Sequence, residues 1–410
     1  MSEDETRGPL EGLRVLDLSR ILAGPTCTQL LGDMGADVIK IEKAGAGDDT
    51  RKWGPPYVRD AEGANTTESA YYLCANRNKR SVAVDISRSE GQDLVRRLAR
   101  RCDVLIENFK VGGLRKYGLA YDDFKDDQPG LVYCSISGFG QNGPYAHRAG
   151  YDFMIQAMGG IMSITGDPDG QPTKVGVGIA DVMCGMYASS AILAALHHRA
   201  KTGRGQYIDL GLLDCQVSWL INAGLNYLTS GKTPVRMGNG HPNIVPYEVF
   251  PASDGYFALA VGNDQQFARF CEFAGEPGLA SDPRYATNSA RVDNRGELVP
   301  RLRGITAQRS RDTWLAGLEA LGVPCGPVND IHQVFDDPQV RHRNMRISMP
   351  HSLAGSGRVD LIGNPVRFSD TPVTYRRPPP VLGEHTDEVL EEMLGLDVDA
   401  RARLRESGVI

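Results

Sequence analysis

The 410-residue chain has no CxxC pair, no long apolar run and no excess of positive charge. Its eight cysteines, at positions 27, 74, 102, 134, 184, 215, 271 and 325, are scattered. Scattered thiols in a chain this long read as small buried hydrophobes of a reducing cytoplasm, so neither a metal site nor a disulfide framework is expected. The longest apolar stretches, Ala191–Leu196 and Val217–Ala223, fall short of the roughly 20 residues that span a bilayer. Met1–Arg7 is acidic and lacks an apolar segment, so no secretory leader is expected. Lys and Arg total 45 against 51 Asp and Glu, a net charge of −6, which argues against a nucleic-acid partner. The G-x-G-x-x-G fingerprint is missing as well. The turn after the first apolar run reads Ser19-Arg-Ile-Leu-Ala-Gly-Pro25, one glycine where a dinucleotide site needs three.

What is present suits a large core: 41% of residues are hydrophobic and 23% charged, over a length that fits two domains. Apolar runs at Leu13–Ser19, Asp37–Glu42, Ser81–Ile86, Asp103–Asn108 and Leu131–Ser137 read as strands. Helices are expected between them at Pro25–Met34 and at Ser89–Arg101, the second with Ser89 as its cap. Strands alternating with helices imply a parallel sheet covered on both faces, an α/β fold. A long helix over Val182–Lys201 is apolar on nearly all sides and should be buried. Gly203–Gly211 gives a turn and a strand, and Leu213–Tyr227 another helix. Ser230–Pro246, with six Gly or Pro, reads as a connector, Tyr247–Val261 as a β-hairpin, and Gln265–Gly275 and Arg311–Leu321 as helices. Pro338–Pro378 is loop-rich, and a late helix over Glu384–Leu394 packs back. The resulting domain plan is 1–229 large domain, 230–246 linker, 247–328 small α+β domain, 329–378 linker and 379–410 return.

Three features carry chemistry. Val175-Gly-Val-Gly-Ile-Ala-Asp181 delivers one carboxylate to the start of the long helix. Asp181 there reads either as an N-cap or as a carboxylate nucleophile in an apolar surround. Gly238-Asn-Gly-His-Pro242 reads either as a surface turn or as a loop that approaches a ligand closely. His241 in it is either a base or a solvated turn residue. Lys40, Lys43, Arg77, Lys79, Arg80, Lys110, Arg115 and Lys116 gather at strand ends. They suggest a polyphosphate ligand, with a solvated face as the plain alternative.

The string Pro9-Leu-Glu-Gly-Leu-Arg-Val-Leu-Asp-Leu-Ser-Arg-Ile-Leu-Ala-Gly-Pro25 resembles the class III CoA-transferases, the formyl-CoA transferase-like or CaiB/BaiF family. So do Leu31-Gly-Asp-Met-Gly-Ala-Asp-Val-Ile-Lys-Ile-Glu42, Asn78-Lys-Arg-Ser81, Glu107-Asn-Phe109, Ser137-Gly-Phe-Gly-Gln-Asn-Gly-Pro144 and Lys201-Thr-Gly-Arg-Gly-Gln206. The likeness is greatest to the branch that uses succinyl-CoA and a dicarboxylate such as glutarate. It implies a Rossmann-like large domain, a smaller domain and an interlocked homodimer, with CoA as substrate thioester and no permanently bound cofactor or metal. Its partners would be acyl-CoA and a free carboxylic acid, with no nucleic acid or membrane.

By the same resemblance Asp181 is the nucleophile, Asp152 helps to shape the site, and Gly238, Asn239 and Gly240 form a mobile loop. CoA contacts are implied at Arg20, Ile21, Lys43, Val84, Asp85, Ile86, Ser87, Asn108, Phe109, Lys110 and Lys116. Leu22 stands where formyl-CoA transferases carry Gln, which speaks against oxalate-type handling. The sister α-methylacyl-CoA racemases carry a His base where this chain has Tyr151. A phenol with a pKa near 10 replaces such a base poorly. A CoA-binding protein without catalysis is the remaining alternative.

Overall fold

The computed structural model describes residues 8–410; the acidic leader lies outside the described residues. Six short strands pair into one parallel sheet: β1 (Arg14–Asp17), β2 (Asp37–Glu42), β3 (Lys79–Ala83), β4 (Val104–Glu107), β5 (Val132–Ser137) and β6 (Tyr207–Gly211). Their spatial order is β3-β2-β1-β4-β5-β6. The order reverses between β1 and β4, and an open α/β sheet receives its ligand at the carboxyl ends of the strands flanking such a reversal. The fold is the expected Rossmann-like α/β class.

The strand period of two sends neighbours to opposite faces. Leu16, Ile39, Val82 and Leu105 face one apolar layer, completed by Leu94 and Leu98 of α2 (Ser89–Ala99). Val15, Val38, Val104 and Ile106 face the other, filled from α1 (Ala23–Asp33) and α4 (Ile179–Thr202). Between α2 and α4 in the chain lies α3 (Asp152–Met158). Ser89 does not cap α2: the cap position is Arg88, and the Ser89 hydroxyl turns to Glu90.

Helix α4 starts three residues ahead of the expected Val182. It packs along α1 so closely that a Cβ on Gly185 would lie 2.6 Å from the Ala23 carbonyl oxygen. Counted as a helix rather than as uninterrupted runs, α4 is long and apolar enough to cross a membrane. Here it buries Ala180, Cys184, Ala188, Ile192 and Ala195 in the core. Six of the eight free cysteines are buried as expected, but Cys74 is exposed and Cys325 half-buried.

The basic cluster does not face a ligand as a whole. Lys40 and Lys79 are fully buried and pair with Asp48 at 2.9 Å and Asp17 at 3.3 Å. Arg77 is buried on Asp33, and Arg80 on Asp37 and Glu392. Arg51 joins the network between Glu42 and Glu68, with the Tyr72 ring 3.7 Å from its guanidinium carbon. A string of cations in a sequence says nothing of the acids the fold brings to them. Only Lys43, Lys110, Arg115 and Lys116 of the original cluster stay exposed.

The chain divides into two compact units. One holds the residues up to Gly159, Val175–Trp219 and Pro338–Ile410; the other holds Gly160–Lys174 and Leu220–Asp337. These limits differ from the composition-based plan. The expected helix over Leu213–Tyr227 breaks into α5 (Leu212–Ser218) and α6 (Ile221–Ser230), because Ile221 takes φ 29° and interrupts the ladder. Residues 230–246 therefore belong to the second unit. Pro338–Pro378 belongs to the first, where Arg346–Pro350 pairs with Arg358–Ile362.

The second unit is a small α+β body. The hairpin β7 (Tyr247–Ala252) and β8 (Gly255–Ala260) is joined by β9 (Cys325–Pro327), and α7 (Asp264–Ala274) and α8 (Arg311–Ala320) cover it. Phe257 and Phe270 stack on Trp314 at its centre. In the first unit α9 (Thr386–Leu394) returns Val389 and Leu390 to the core.

A buried ion pair that loses one partner leaves an uncompensated charge in the interior. Asp48→Ala should therefore destabilise the protein by about 3–5 kcal/mol in chemical denaturation. Replacing Lys40 by Met in the same chain should recover only part of that loss, since the Ser19 carbonyl and the Ile21 N–H stay unmatched.

Candidate active site

After β1 the chain turns through Leu18–Leu22 before α1 begins, and buried charges grip this turn from beneath. Asp17 accepts from the Ser19 N–H at 2.9 Å and hydroxyl at 2.5 Å, and Lys40 donates to the Ser19 carbonyl at 2.9 Å. Asp48 accepts from the Ile21 N–H at 3.2 Å. Ile21 sits at φ 73°, a conformation costly for a β-branched residue and held only where its surroundings over-determine it. Across the crevice Asn108, just past β4, accepts from the Arg20 N–H at 2.9 Å and donates to the Arg20 carbonyl at 2.7 Å. The two strand ends that flank the sheet reversal are thus tied together.

Helix α4 opens onto this crevice. Its cap position is Gly178, which has no side chain to offer, and Asp181 is the third helical residue. The capping role read for Asp181 falls to Asp152 of α3. One oxygen of Asp152 accepts from the N–H groups of Ala180 at 2.8 Å and Asp181 at 3.4 Å, and the other accepts from Gln156 at 2.8 Å. Freed from capping, the Asp181 carboxylate lines a cavity of about 170 Å³ together with Arg20, Ile21, Asn108, Lys110 and Tyr151. Burial, and secondly the charge of Asp152, push its pKa up to about 7.

Tyr71 escaped sequence reasoning, since two adjacent tyrosines in a short helical segment, Tyr71 and Tyr72, carry no spacing signal. Burial, with Asp181 and Asp152 nearby, pushes its phenol up to about 12, so it remains an O–H donor at neutral pH. The Trp53 ring meets it edge-on at 5.2 Å. Tyr151 precedes α3 and is exposed.

Of the residues implied to touch CoA, Arg20, Ile21, Asn108, Phe109 and Lys110 line this cavity with Asp181. The Arg20 guanidinium is bonded to Asp49 at 2.6 Å. Lys43, Val84–Ser87 and Lys116 do not line it. Lys43 is exposed past β2, where its charge helps to lower the Asp85 carboxyl, behind the bonds from Ser87 and the charge of Arg88. Val84 puts its side chain in the core, leaving its backbone at the strand end, and Ile86 is half-buried. Asp85 accepts from the Ser87 N–H and hydroxyl at 2.9 and 2.6 Å. Lys116 is exposed, 4.6 Å from the centre of the Tyr117 ring.

Gly238, Asn239 and Gly240 lie in the second unit. Gly238 uses φ 58° and donates to the Gly166 carbonyl at 3.0 Å, and Gly240 donates to Met237 at 2.9 Å. Arginines anchor both flanks: Arg236 donates to the Gly170 carbonyl at 2.6 Å, and Arg295 to those of His241 and Pro242 at 3.1 and 2.8 Å. His241 commits Nδ1 to the Asn243 N–H at 3.0 Å, a turn-residue role. Among the described residues no group of three or more His, Cys, Asp or Glu side chains converges to hold a metal ion.

The sequence model of CoA-transferase family III matches residues 10–386. A succinate–glutarate CoA-transferase of Agrobacterium fabrum is 51% identical, over 94% of this chain and 96% of its own length. The human succinyl-CoA:glutarate CoA-transferase is 44% identical, over 98% of this chain and 90% of its own. Among solved structures, a CaiB/BaiF family protein from Brucella suis superposes with a TM-score of 0.83 at 51% identity, covering 94% of this chain and all of that one.

A carboxyl with a raised native pKa binds its proton more tightly folded than unfolded. Its contribution to stability is therefore present at low pH and is lost as pH rises from near 4 towards 7. Asp181→Asn should remove that slope. The variant should melt above the wild-type protein at pH 8, by an amount equivalent to about 2–4 kcal/mol, with the gap closing towards pH 4. Paired thermal scans across that range make the measurement.

Proposed function

The chain belongs to CoA-transferase family III, and from that premise we propose that it moves CoA from succinyl-CoA to glutarate or a similar dicarboxylate, through a thioester on Asp181. The observation that carries this reading is one carboxylate with a raised pKa, released from helix capping by Asp152, in the crevice at the sheet reversal. The names of the relatives support the choice of acids. Leu22, which stands where formyl-CoA transferases carry Gln, lines the cavity, in keeping with an acceptor other than oxalate.

In the proposed cycle the Asp181 carboxylate attacks the thioester carbonyl, the C–S bond breaks, and CoA leaves as thiolate from a mixed anhydride. The thiolate then attacks the Asp181 carbonyl of the anhydride. The donor leaves as a free carboxylate, and an aspartyl-CoA thioester remains. The acceptor carboxylate attacks that thioester, expels the thiolate and forms a second anhydride, whose acyl carbon the thiolate attacks. Product acyl-CoA departs and Asp181 is restored with no net proton exchanged. In this reading the Tyr71 hydroxyl is a donor for charge that develops on carbonyl oxygen.

Asn108, Phe109 and Lys110 at the end of β4, with Arg20 and Ile21 past β1, take the reactive end of CoA. Lys43, Val84–Ser87 and Lys116 take its nucleotide. Gly238–Asn239–Gly240 acts as a gate, since two glycines change dihedrals at low cost between anchored flanks. The eight unpaired thiols suit a reducing cytoplasm. An interlocked homodimer completes the reading. Helix α6 buries none of its residues and leaves Ile221, Leu225 and Leu228 more than half exposed, an apolar face suited to a second copy.

Asp181→Asn should abolish transfer from succinyl-CoA to glutarate while the protein stays folded, and hydroxylamine during turnover should label Asp181 alone. Full activity in that variant, or label at another acid, would end the proposal. Gly238→Ala should lower turnover and raise the share of succinyl-CoA lost to hydrolysis, followed as free thiol released without glutaryl-CoA. Normal values for both quantities would reduce the loop to a plain turn.

A further inference from the structure

Gln156 lies fully buried one turn beyond Asp152 on α3. Its side-chain carbonyl accepts from the Val175 N–H at 2.8 Å. An N–H can only donate, so the amide is oriented: its NH₂ must face the other way. There it donates to the Asp152 oxygen that does not cap α4, at 2.8 Å, with a longer approach of 3.4 Å to the Val177 carbonyl. One buried amide therefore joins the segment leading into α4 to the carboxylate that caps it.

We infer that Gln156 is a positioning residue that holds the Asp152 carboxylate against the first turn of α4 and so fixes where its charge faces Asp181. The inference rests on the role proposed for Asp181. A hydrogen bond donated to a carboxylate favours its charged form. Gln156 donates to Asp152, and among the described residues no such bond is donated to the Asp181 carboxyl, so the oriented charge beside Asp181 is that of Asp152. The other ionisable groups around Asp181 are Tyr71, Cys184 of its own helix, and Arg20, Lys110, Arg148 and Tyr151 of the cavity wall. Tyr71 and Cys184 are uncharged at neutral pH, which leaves Asp152 as the acid whose charge opposes ionisation of Asp181.

Gln156→Met keeps the volume and removes the amide. Asp152 then loses the bond that fixes its second oxygen and is free to turn from α4, so its charge opposes ionisation of Asp181 less. The acid limb of kcat/KM should move down by at least half a pH unit. The value of kcat should fall about tenfold, while KM for succinyl-CoA changes less than twofold. In an Asp152→Asn background the same substitution should change kcat/KM less than twofold, since the residue through which it acts is already neutral. An unmoved acid limb in Gln156→Met, or effects that simply multiply in the double variant, would overturn the inference.

If Gln156→Met does not fold, Gln156→Glu combined with Asp152→Asn serves instead. The introduced amide then donates to the introduced carboxylate, preserving the bond while the charge moves away from Asp181. The acid limb should again fall, and an unmoved limb again overturns the inference. The pH dependence of the stability gap between each variant and its Asp181→Asn counterpart reads the Asp181 titration without any turnover. A wild-type protein that transfers no CoA would sink the proposed function, whereas a stability titration unmoved by Gln156→Met sinks this inference alone.

Discussion

The Lys40–Asp48 pair, wholly buried beneath the turn after β1, is the contact on which the crevice depends. Lys40 holds the Ser19 carbonyl and Asp48 the Ile21 N–H, so one ion pair fixes both sides of a backbone bend that Ile21 would not adopt alone. Burying such a pair gains little net stability, because desolvation offsets most of the attraction. What it gives is a single geometry. Lys79 on Asp17 and Arg51 between Glu42 and Glu68 extend the same lattice under the strand ends, where an apolar filling would leave the turn's polar groups unmatched.

The Asp181 carboxyl lies under two opposed influences. The first turn of a 24-residue helix favours an anion, by about 0.3–1 kcal/mol at an accessible site. Burial and the neighbouring Asp152 push the other way, to a pKa of about 7 from 3.8, equivalent to roughly 4 kcal/mol. The second influence is several times larger, so the helix moderates the proton affinity of Asp181 without deciding it. A carboxylate poised near neutrality is a better nucleophile than one held at its ordinary value, and it is available at neutral pH in substantial fraction.

Much of this is legible in the sequence. Alternating apolar runs located five of the six sheet strands to within a few residues, because β-branched runs bounded by turn residues have few other uses. The sixth, β6, fell inside a stretch read correctly as turn and strand. Asp181 stood out because an apolar, glycine-bearing run leads into it. Asp152 came through the resemblance alone, and its capping role left no mark: it caps a helix that begins 27 residues further on, and no local pattern records a cap supplied from another element. The buried fate of Lys40, Lys79, Arg77 and Arg80 was hidden for the same reason, since each acid that neutralises them comes from another element of the fold. The break between α5 and α6 was hidden by a run of good helix formers, in which only the φ of Ile221 reveals the interruption.

The first unit is closed by its last residues, which bears on how a ribosome delivers it. Asp33 receives the Asn364 amide from 331 positions away, Asn78 donates to the Thr374 carbonyl across 296, and Arg51 donates to the Pro380 carbonyl across 329. A nascent chain emerges N-terminus first, so the sheet and the apolar α4 are exposed before those partners exist. The whole second unit is synthesised in the interval. Until Pro338–Ile410 appears, buried positions at the strand ends lack their mates, and α4 is a long greasy segment in an unfinished body. Closure of the larger unit thus waits until the whole of the smaller one has been made.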